Sequence, residues 1–147
     1  MSALIDAVSI HRMERTIMSH MDRYLSRWRV TVSTMWVMIN LLSEESESMS
    51  PAQLATVTGL SRPSMTSVLD SLEKKGYIRR SMHPTDRRMV SVHITEQGKS
   101  FMGEVFPPIG RGVVRTLKYL NQEERKTFMK LYSKILAGSR ELLEEPA

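Results

Sequence analysis

Two short amphipathic helices joined at a glycine, in residues 50–76, constrain the fold of this chain more than any other feature. Ser50 and the proline after it form a helix start, because a serine hydroxyl can cap the first amides and proline suits the first turn. The first helix should span residues 51–58 and end at Gly59, and Ser61 should cap a second helix that ends at Gly76. The apolar residues of the second helix recur at i, i+3, i+4 and i+7, which defines one buried face: Met65, Val68, Leu69 and Leu72.

The spacing between the two helices is that of a helix-turn-helix. The pattern A-x3-G-x5-Φ-x2-Φ is formed by Ala55, Gly59, Met65 and Val68. A small residue lets the second helix cross closely, and glycine supplies the unusual backbone of the turn. In this motif the N-terminal half of the second helix enters the major groove of DNA.

The exposed face predicted for the second helix suits contact with DNA. It is rich in serine and threonine, and its acidic residues are confined to Asp70 and Glu73. Hydroxyl and guanidinium groups bind phosphates and base edges, whereas an ordinary solvated helix face, the alternative, is more often rich in Glu and Lys. The candidate DNA contacts on this helix are Ser61, Arg62, Pro63, Ser64, Thr66 and Ser67.

A β-hairpin is predicted directly after the second helix, with strands at residues 77–81 and 89–94. The segment "HPTDRRMVSVHIT" (83–95) carries Asp86, Arg87 and Arg88 at the tip and then alternates apolar and polar residues. By itself such a tip could be only a solvated turn. After a recognition helix, however, a hairpin is a wing, and arginine at its tip suits the negative potential of the minor groove. Asp86 would hold an arginine by a charge-assisted bond.

The charge distribution supports a polyanionic partner. The chain has 147 residues, enough for one domain with a core, and a net charge of +5. Residues 60–90 hold seven basic and three acidic residues, a net charge of +4 in about a fifth of the chain. Nucleic acid is the first candidate for such a patch. A basic helix on a membrane surface is the alternative, but Gly76 and Pro84 interrupt this segment.

The remaining segments predict long helices at both ends. An apolar stripe runs from Ile10 to Trp28, a second helix covers residues 34–43, and "SEESESMS" (43–50) is a predicted loop. Thr95 should cap a helix that kinks or breaks near Pro107 and Pro108. Asn121 and the glutamate three residues on resemble a capping box before a final apolar helix that continues to Leu143.

Several function classes are disfavoured. The absence of cysteine excludes disulfides and thiol chemistry, and no apolar run approaches a membrane span. The start of the chain lacks an export signal, so a cytoplasmic protein is expected. No metal site is predicted, because the four histidines show no ligand spacing: His11, His20, His83 and His93. No catalytic residues and no cofactor are predicted either, so an enzyme is the least supported class.

The two segments that carry these motifs resemble the MarR family of winged helix-turn-helix transcription regulators. They are "LATVTGLSRPSMTSVLDSLEKKGYIRR" and "HPTDRRMVSVHITEQG", and the resemblance extends over essentially the whole chain. His83 replaces the first acid of the family's wing pattern and Ile94 replaces a leucine. The matching positions are Pro84, Asp86, Arg87, Arg88, Thr95 and Gly98. The resemblance implies that Arg88 enters the minor groove and that Asp86 orients it.

The resemblance also implies an architecture: mainly α with a small β-hairpin wing, in which long terminal helices form a dimer. We expect a single domain over 1–147, with a DNA-binding region at 33–98 and a helical dimerisation region at 1–30 and 99–147. The terminal apolar stripes agree, since a winged region of about 70 residues cannot cover them and a two-fold axis would bury both. A monomer with an intramolecular helical layer is the alternative.

The function expected from these features is a homodimeric repressor that binds a palindromic operator on double-stranded DNA. Relatives often release DNA when a small anionic or aromatic effector binds between the dimer helices and the winged region. Arg15, His20 and Trp36 lie in the corresponding segments, although the residues themselves favour ordinary boundary chemistry over a ligand contact. The alternatives are a ligand-independent or activating regulator, and a helical protein that uses a winged fold for protein contacts.

Overall fold

The computed structural model describes residues 1–43, 48–82 and 90–141, which form six α-helices and a small antiparallel sheet. The order is α1 (Ser2–Leu25), a 3-10 turn (Ser26–Trp28), α2 (Val32–Ser43), β1 (Ser48–Met49), α3 (Pro51–Thr58), α4 (Arg62–Lys74), β2 (Ile78–Met82), β3 (Val90–Ile94), α5 (Glu96–Arg115) and α6 (Gln122–Glu141). The chain forms two compact units, Met1–Ile109 and Gly110–Ala147. The prediction of a single domain over 1–147 therefore stays a prediction.

The helix-turn-helix has the predicted ends because local side chains stabilise them. Ser50 Oγ accepts a bond of 3.2 Å from the Gln53 amide, and Gln53 Oε1 accepts one of 2.8 Å from the Ser50 amide. Ser61 Oγ accepts a bond of 3.3 Å from the Ser64 amide at the start of α4. Gly59 lies between the helices with φ of 68°, a left-handed conformation that glycine adopts without a steric penalty. The predicted start of α3 and start of α4 are confirmed.

The core of the first unit joins the helix-turn-helix to α2, the sheet and the first half of α5. The predicted apolar face of α4 is confirmed for Met65, Leu69 and Leu72, which are buried, and Val68 packs against them half-buried. The side chains they pack with come from every other element of the unit: Leu25, Val30, Met35, Val37, Met38, Leu41, Met49, Leu54, Ile78, Val92, Ile94, Met102, Val105 and Ile109.

The sheet has three strands in the order β1-β3-β2, so the predicted hairpin is only part of it. Ser48 pairs with His93 and Met49 with Val92, which makes the prediction of a loop over 43–50 wrong at residues 48 and 49. Two residues are too few to show an alternating pattern, and only the pairing with β3 makes them a strand. The hairpin strands are confirmed, with β2 shifted one residue toward the C-terminus and β3 beginning at Val90.

Thr95 and Gly98 join the start of α5 to the end of α4. Thr95 Oγ1 accepts a bond of 3.0 Å from the Gly98 amide, which confirms the predicted cap, and donates one of 2.6 Å to the Gly76 carbonyl. The Thr95 amide donates a further bond of 3.0 Å to the Tyr77 carbonyl. The Thr-x-x-Gly spacing is therefore a cap that also connects two helices.

At the proline pair the predicted break is wrong, whereas the alternative of a kink stays a prediction. The helix α5 continues from Glu96 to Arg115 with Pro107 and Pro108 inside it. Each proline removes one amide donor from the helix and crowds the carbonyl four residues earlier. Gly103 stands at the first of those positions with open space around it, and the hydroxyl of Tyr24 donates a bond of 3.1 Å to the Pro108 carbonyl. The division between the two units follows one residue later, after Ile109.

The terminal helices carry many exposed apolar side chains. The helix α1 begins at Ser2, earlier than the stripe indicates, and its last predicted turn is a 3-10 turn. The predicted capping box of α6 is confirmed, because Asn121 Oδ1 accepts from the Glu124 amide at 3.0 Å and Glu124 Oε2 from the Asn121 amide at 2.7 Å. The exposed apolar side chains are Leu4, Ile5, Val8, Met13, Ile17 and Met18 on α1, and Phe128, Met129, Leu131, Ile135 and Leu136 on α6.

Candidate nucleic-acid interface

The outer face of α4 presents small polar side chains and one arginine to solvent. The six candidate contacts predicted on this helix are all exposed: Ser61, Arg62, Pro63, Ser64, Thr66 and Ser67. They occupy the first half of the helix and the residue that caps it. Since α4 is the second helix of the helix-turn-helix, this is the end of the helix that the motif directs into a groove.

The polar groups on this face differ in how far they are already engaged. Ser61 Oγ lies 2.9 Å from Ser64 Oγ, and Thr66 Oγ1 donates a bond of 3.1 Å to the Arg62 carbonyl. The Arg62 guanidinium and the Ser67 hydroxyl form no hydrogen bond within the described ranges 1–43, 48–82 and 90–141. Arg62 and Ser67 are therefore the groups most available to phosphates and base edges.

Arg80 pairs with both acidic residues of α4, and sequence reasoning missed it. Its Nη1 lies 2.7 Å from Asp70 Oδ1 and 3.3 Å from Glu73 Oε2. Its backbone amide also donates a bond of 2.9 Å to Glu73 Oε1. The two carboxylates that would repel a phosphate backbone are thus both paired with one guanidinium from β2, which compensates one of their two negative charges. The signal available in the sequence was weak, because the acids lie on a helix and the arginine on the following strand, so that no single periodicity relates them.

The wing begins at Ile78, one residue later than the sequence predicted, and ends at Ile94 as predicted. Its strands β2 and β3 pair in register from Ile78 with Ile94 to Met82 with Val90. The tip at 83–89, with Asp86, Arg87 and Arg88, lies outside the described residues, so their roles stay predictions.

His93, on the central strand β3, is a second residue of this region that sequence reasoning did not single out. Its Nε2 lies 2.9 Å from Ser81 Oγ on β2, and Arg79 is its cross-strand neighbour. Burial lowers the pKa of His93 below its ordinary value of 6.5, and the positive charge of Arg79 lowers this pKa further. The neutral imidazole is therefore favoured in the folded protein.

The lowered pKa of His93 predicts a pH dependence of stability. The unfolded chain binds a proton at this position as the pH falls through 6.5, whereas the folded chain resists it. The free energy of unfolding should therefore decrease as the pH falls below 6.5, and be unaffected by this group above it. Thermal melts at about pH 7.5 and about pH 5.5 should show a smaller difference for His93→Gln than for the wild type. Arg79→Met removes one of the two causes and should give an intermediate difference, and equal differences for all three proteins would contradict the assignment.

The three predicted effector contacts are exposed, and the structure does not bring them into one enclosed pocket. Arg15 and His20 lie on α1, along an open groove lined entirely by that helix. Trp36 lies on α2 with its side chain about half exposed, and it does not line this groove. Their role as a ligand site stays a prediction.

The described parts of the chain hold neither a metal-binding cluster nor a membrane-spanning helix. The residues that the structure describes include no group of three His, Asp or Glu side chains placed to hold a metal ion. None of the helices described is long and apolar enough to cross a membrane.

The fold is a winged helix-turn-helix with a three-stranded sheet, and α4 is its recognition helix. Together with the exposed polar face of α4, this fold defines the class of protein, a DNA-binding regulator of transcription. The model of the MarR family matches residues 26–90. The chain is similar to that family over this segment, which is a little less than half of its length.

Curated relatives of the chain are also regulators of transcription. The chain is 28% identical over 134 residues to the transcriptional repressor MprA of Escherichia coli (strain K12), which covers 91% of this chain and 76% of that protein. It is 25% identical over 126 residues to the transcriptional regulator PrsX of Escherichia coli, covering 86% of this chain and 76% of that protein.

Solved structures agree as well. A cysteine-to-serine variant of MarR from Escherichia coli in complex with operator DNA superposes with a TM-score of 0.78 at 25% identity, covering 88% of this chain and 92% of that one. AbsC, a MarR family regulator from Streptomyces coelicolor, superposes with a TM-score of 0.83 at 22% identity over 93% of each chain, which supports the fold.

Proposed function

We propose that this protein is a homodimeric repressor of transcription that binds an inverted-repeat operator and is released from it by a small anionic or aromatic effector. The observation that carries DNA binding is the outer face of α4, where hydroxyls and the Arg62 guanidinium are exposed and Arg80 pairs with both carboxylates. The name of MprA as a transcriptional repressor and the operator complex of MarR support the same function.

Self-association is supported by the apolar side chains exposed on both terminal helices. Ile17 on α1 and Leu131 on α6 are each more than half exposed to solvent, and they lie within longer apolar stripes. Burying such stripes against water is favourable at roughly 25 cal/mol per Å² of apolar area. A two-fold dimer would cover them and present two copies of α4 to successive major grooves, about one helical turn apart.

Release by an effector is the least supported part of the proposal. It rests on the position of Arg15, His20 and Trp36 on α1 and α2, where cationic and aromatic groups would suit an anionic aromatic compound. A ligand that lowers DNA affinity must bind the non-binding state of the dimer more tightly, with a coupling free energy of about 1–3 kcal/mol. A screen of aromatic acids in which no compound changes both the melting temperature and the DNA affinity would favour the ligand-independent alternative.

We infer no catalytic activity, and the cytoplasm, where chromosomal DNA is accessible, is the expected location. A helical interaction protein without DNA affinity is the alternative from another class. Selection of bound duplexes from a random pool, followed by titration at two salt concentrations, separates the two. Specific binding that weakens steeply with salt supports the regulator, whereas no enrichment of any sequence supports the interaction protein.

Two arginines should affect DNA binding in different ways. Arg62→Ala, on the recognition helix, should change the sequence preference inside each half-site and cost about 1–3 kcal/mol of binding free energy. Arg88→Ala, in the predicted wing tip, should cost a similar amount mainly on operators with A·T-rich flanks. Asp86→Ala should act through the same arginine, so its loss should not add to that of Arg88→Ala. Binding titrations on operators with A·T-rich or G·C-rich flanks measure these effects. If Arg88→Ala binds both kinds of operator as tightly as the wild type does, the tip is only a solvated turn.

A further inference from the structure

We propose that Arg80 is a positioning residue for DNA binding, which acts by compensating the charge of Asp70 at the acidic end of the recognition helix and does not itself contact DNA. The proposal rests on the proposed function and adds to it a residue outside the predicted contacts.

Asp70 lies on the face of α4 that is directed at DNA. It follows Thr66 by four residues and Ser67 by three, so all three side chains project from neighbouring turns on one side of the helix. The Asp70 side chain is 59% exposed, so its carboxylate would meet the phosphate backbone if nothing compensated its charge. Like charges brought together at an interface strongly oppose binding.

Arg80 is placed to remove that repulsion. Its side chain is only 28% exposed, and its Nη1 lies between the two carboxylates, 2.7 Å from Asp70 Oδ1 and 3.3 Å from Glu73 Oε2. A guanidinium engaged in this way is turned toward the helix. Asp70 and Arg80 together therefore present no net charge to the phosphate backbone.

Glu73 holds the strand independently of the guanidinium. β2 is an edge strand of the described sheet, and its amide at position 80 donates to Glu73 Oε1 at 2.9 Å. This bond uses only the backbone of Arg80, so it persists when the side chain is changed. Substitutions at position 80 should consequently leave the strand on the helix, and exposed ion pairs contribute little to folding stability.

The test is a charge-matched pair of variants, titrated against a duplex that the wild-type protein selects from a random pool. Arg80→Met leaves Asp70 unpaired and should lower affinity by about tenfold or more, the scale of one important charged contact. The double variant Asp70→Asn with Arg80→Met returns the charge of the pair to zero and should recover at least half of that loss on a logarithmic scale. Arg80→Lys keeps the charge and should bind nearly as the wild type does, and thermal melts should confirm that all variants fold.

The outcomes separate this proposal from a direct contact and from a purely structural role. If Arg80 contacted a phosphate instead of compensating Asp70, Asp70→Asn would raise affinity by the same factor in the wild type and in Arg80→Met, and both Arg80→Met variants would keep a salt slope shallower by about one unit. If Arg80 only supported the fold, the melting temperature would fall with affinity, and Asp70→Asn would restore neither. Either result overturns the proposal, as does wild-type affinity in Arg80→Met. A wild-type protein that selects no duplex overturns the proposed function and this inference together.

Discussion

Gly98→Ala should destabilise the folded protein by about 3 kcal/mol or more, at the upper end of the cost of overpacking a core. A Cβ at this position would overlap the carbonyl oxygen of Tyr77 and come within 2.9 Å of Ile94 Cγ1. The Tyr77 carbonyl cannot move away freely, because it accepts the Thr95 amide at 3.0 Å. The start of α5, the sheet and the end of α4 would all have to separate. Equilibrium unfolding in urea measures the effect.

Gly103→Ala is the matched control for this prediction. It lies on the same helix, and a Cβ there meets nothing within 4 Å. Alanine is preferred over glycine in a helix interior by about 1 kcal/mol, so this variant should be as stable as the wild type or slightly more so. If Gly98→Ala and Gly103→Ala unfold at the same urea concentration, the close approach at Gly98 does not contribute to stability and the prediction is wrong.

Leu131→Asp should convert the protein from a dimer to a monomer and lower its affinity for an inverted-repeat operator by at least roughly a hundredfold, toward non-specific binding. The Leu131 side chain is 54% exposed on α6 beside other apolar side chains, a position that only a partner surface would cover. A carboxylate buried there without a partner charge is costly. A monomer would also lose the advantage of binding two half-sites at once.

Lys130→Glu is the control for dimerisation. Lys130 precedes Leu131 in the chain but projects from the polar side of α6. Its replacement by glutamate changes the net charge by more than Leu131→Asp does. It should leave the molecular mass measured by light scattering at that of the dimer. A wild-type protein with the mass of one 16.9 kDa chain at micromolar concentration would instead support the monomeric alternative.

Helix ends were predictable because their causes lie within three or four residues. Ser50, Ser61, Thr95 and Asn121 were each expected to begin a helix, and each does. Gly59 was expected to turn the chain between α3 and α4, and its φ of 68° explains why. The candidate contacts on α4 followed from the same local pattern, since subtracting one apolar face of a helix leaves the exposed face.

The features that the sequence did not predict depend on partners distant along the chain. Ser48 and Met49 form a strand only because β3 pairs with them, more than forty residues later. The helix α5 continues through its two prolines, and Tyr24, 84 residues before Pro108, donates a bond to the carbonyl there.

The sequence by itself determined which segments are helices, which face of α4 is free to contact DNA, and which family the chain resembles, because backbone capping and apolar periodicity act over a few residues. Only the tertiary structure decided that Arg80 pairs with Asp70 and Glu73 and that Gly98 must leave room for a carbonyl of Tyr77. The physical reason is that charge pairing and close packing depend on distance in space, and the sequence does not contain those distances until the chain has folded.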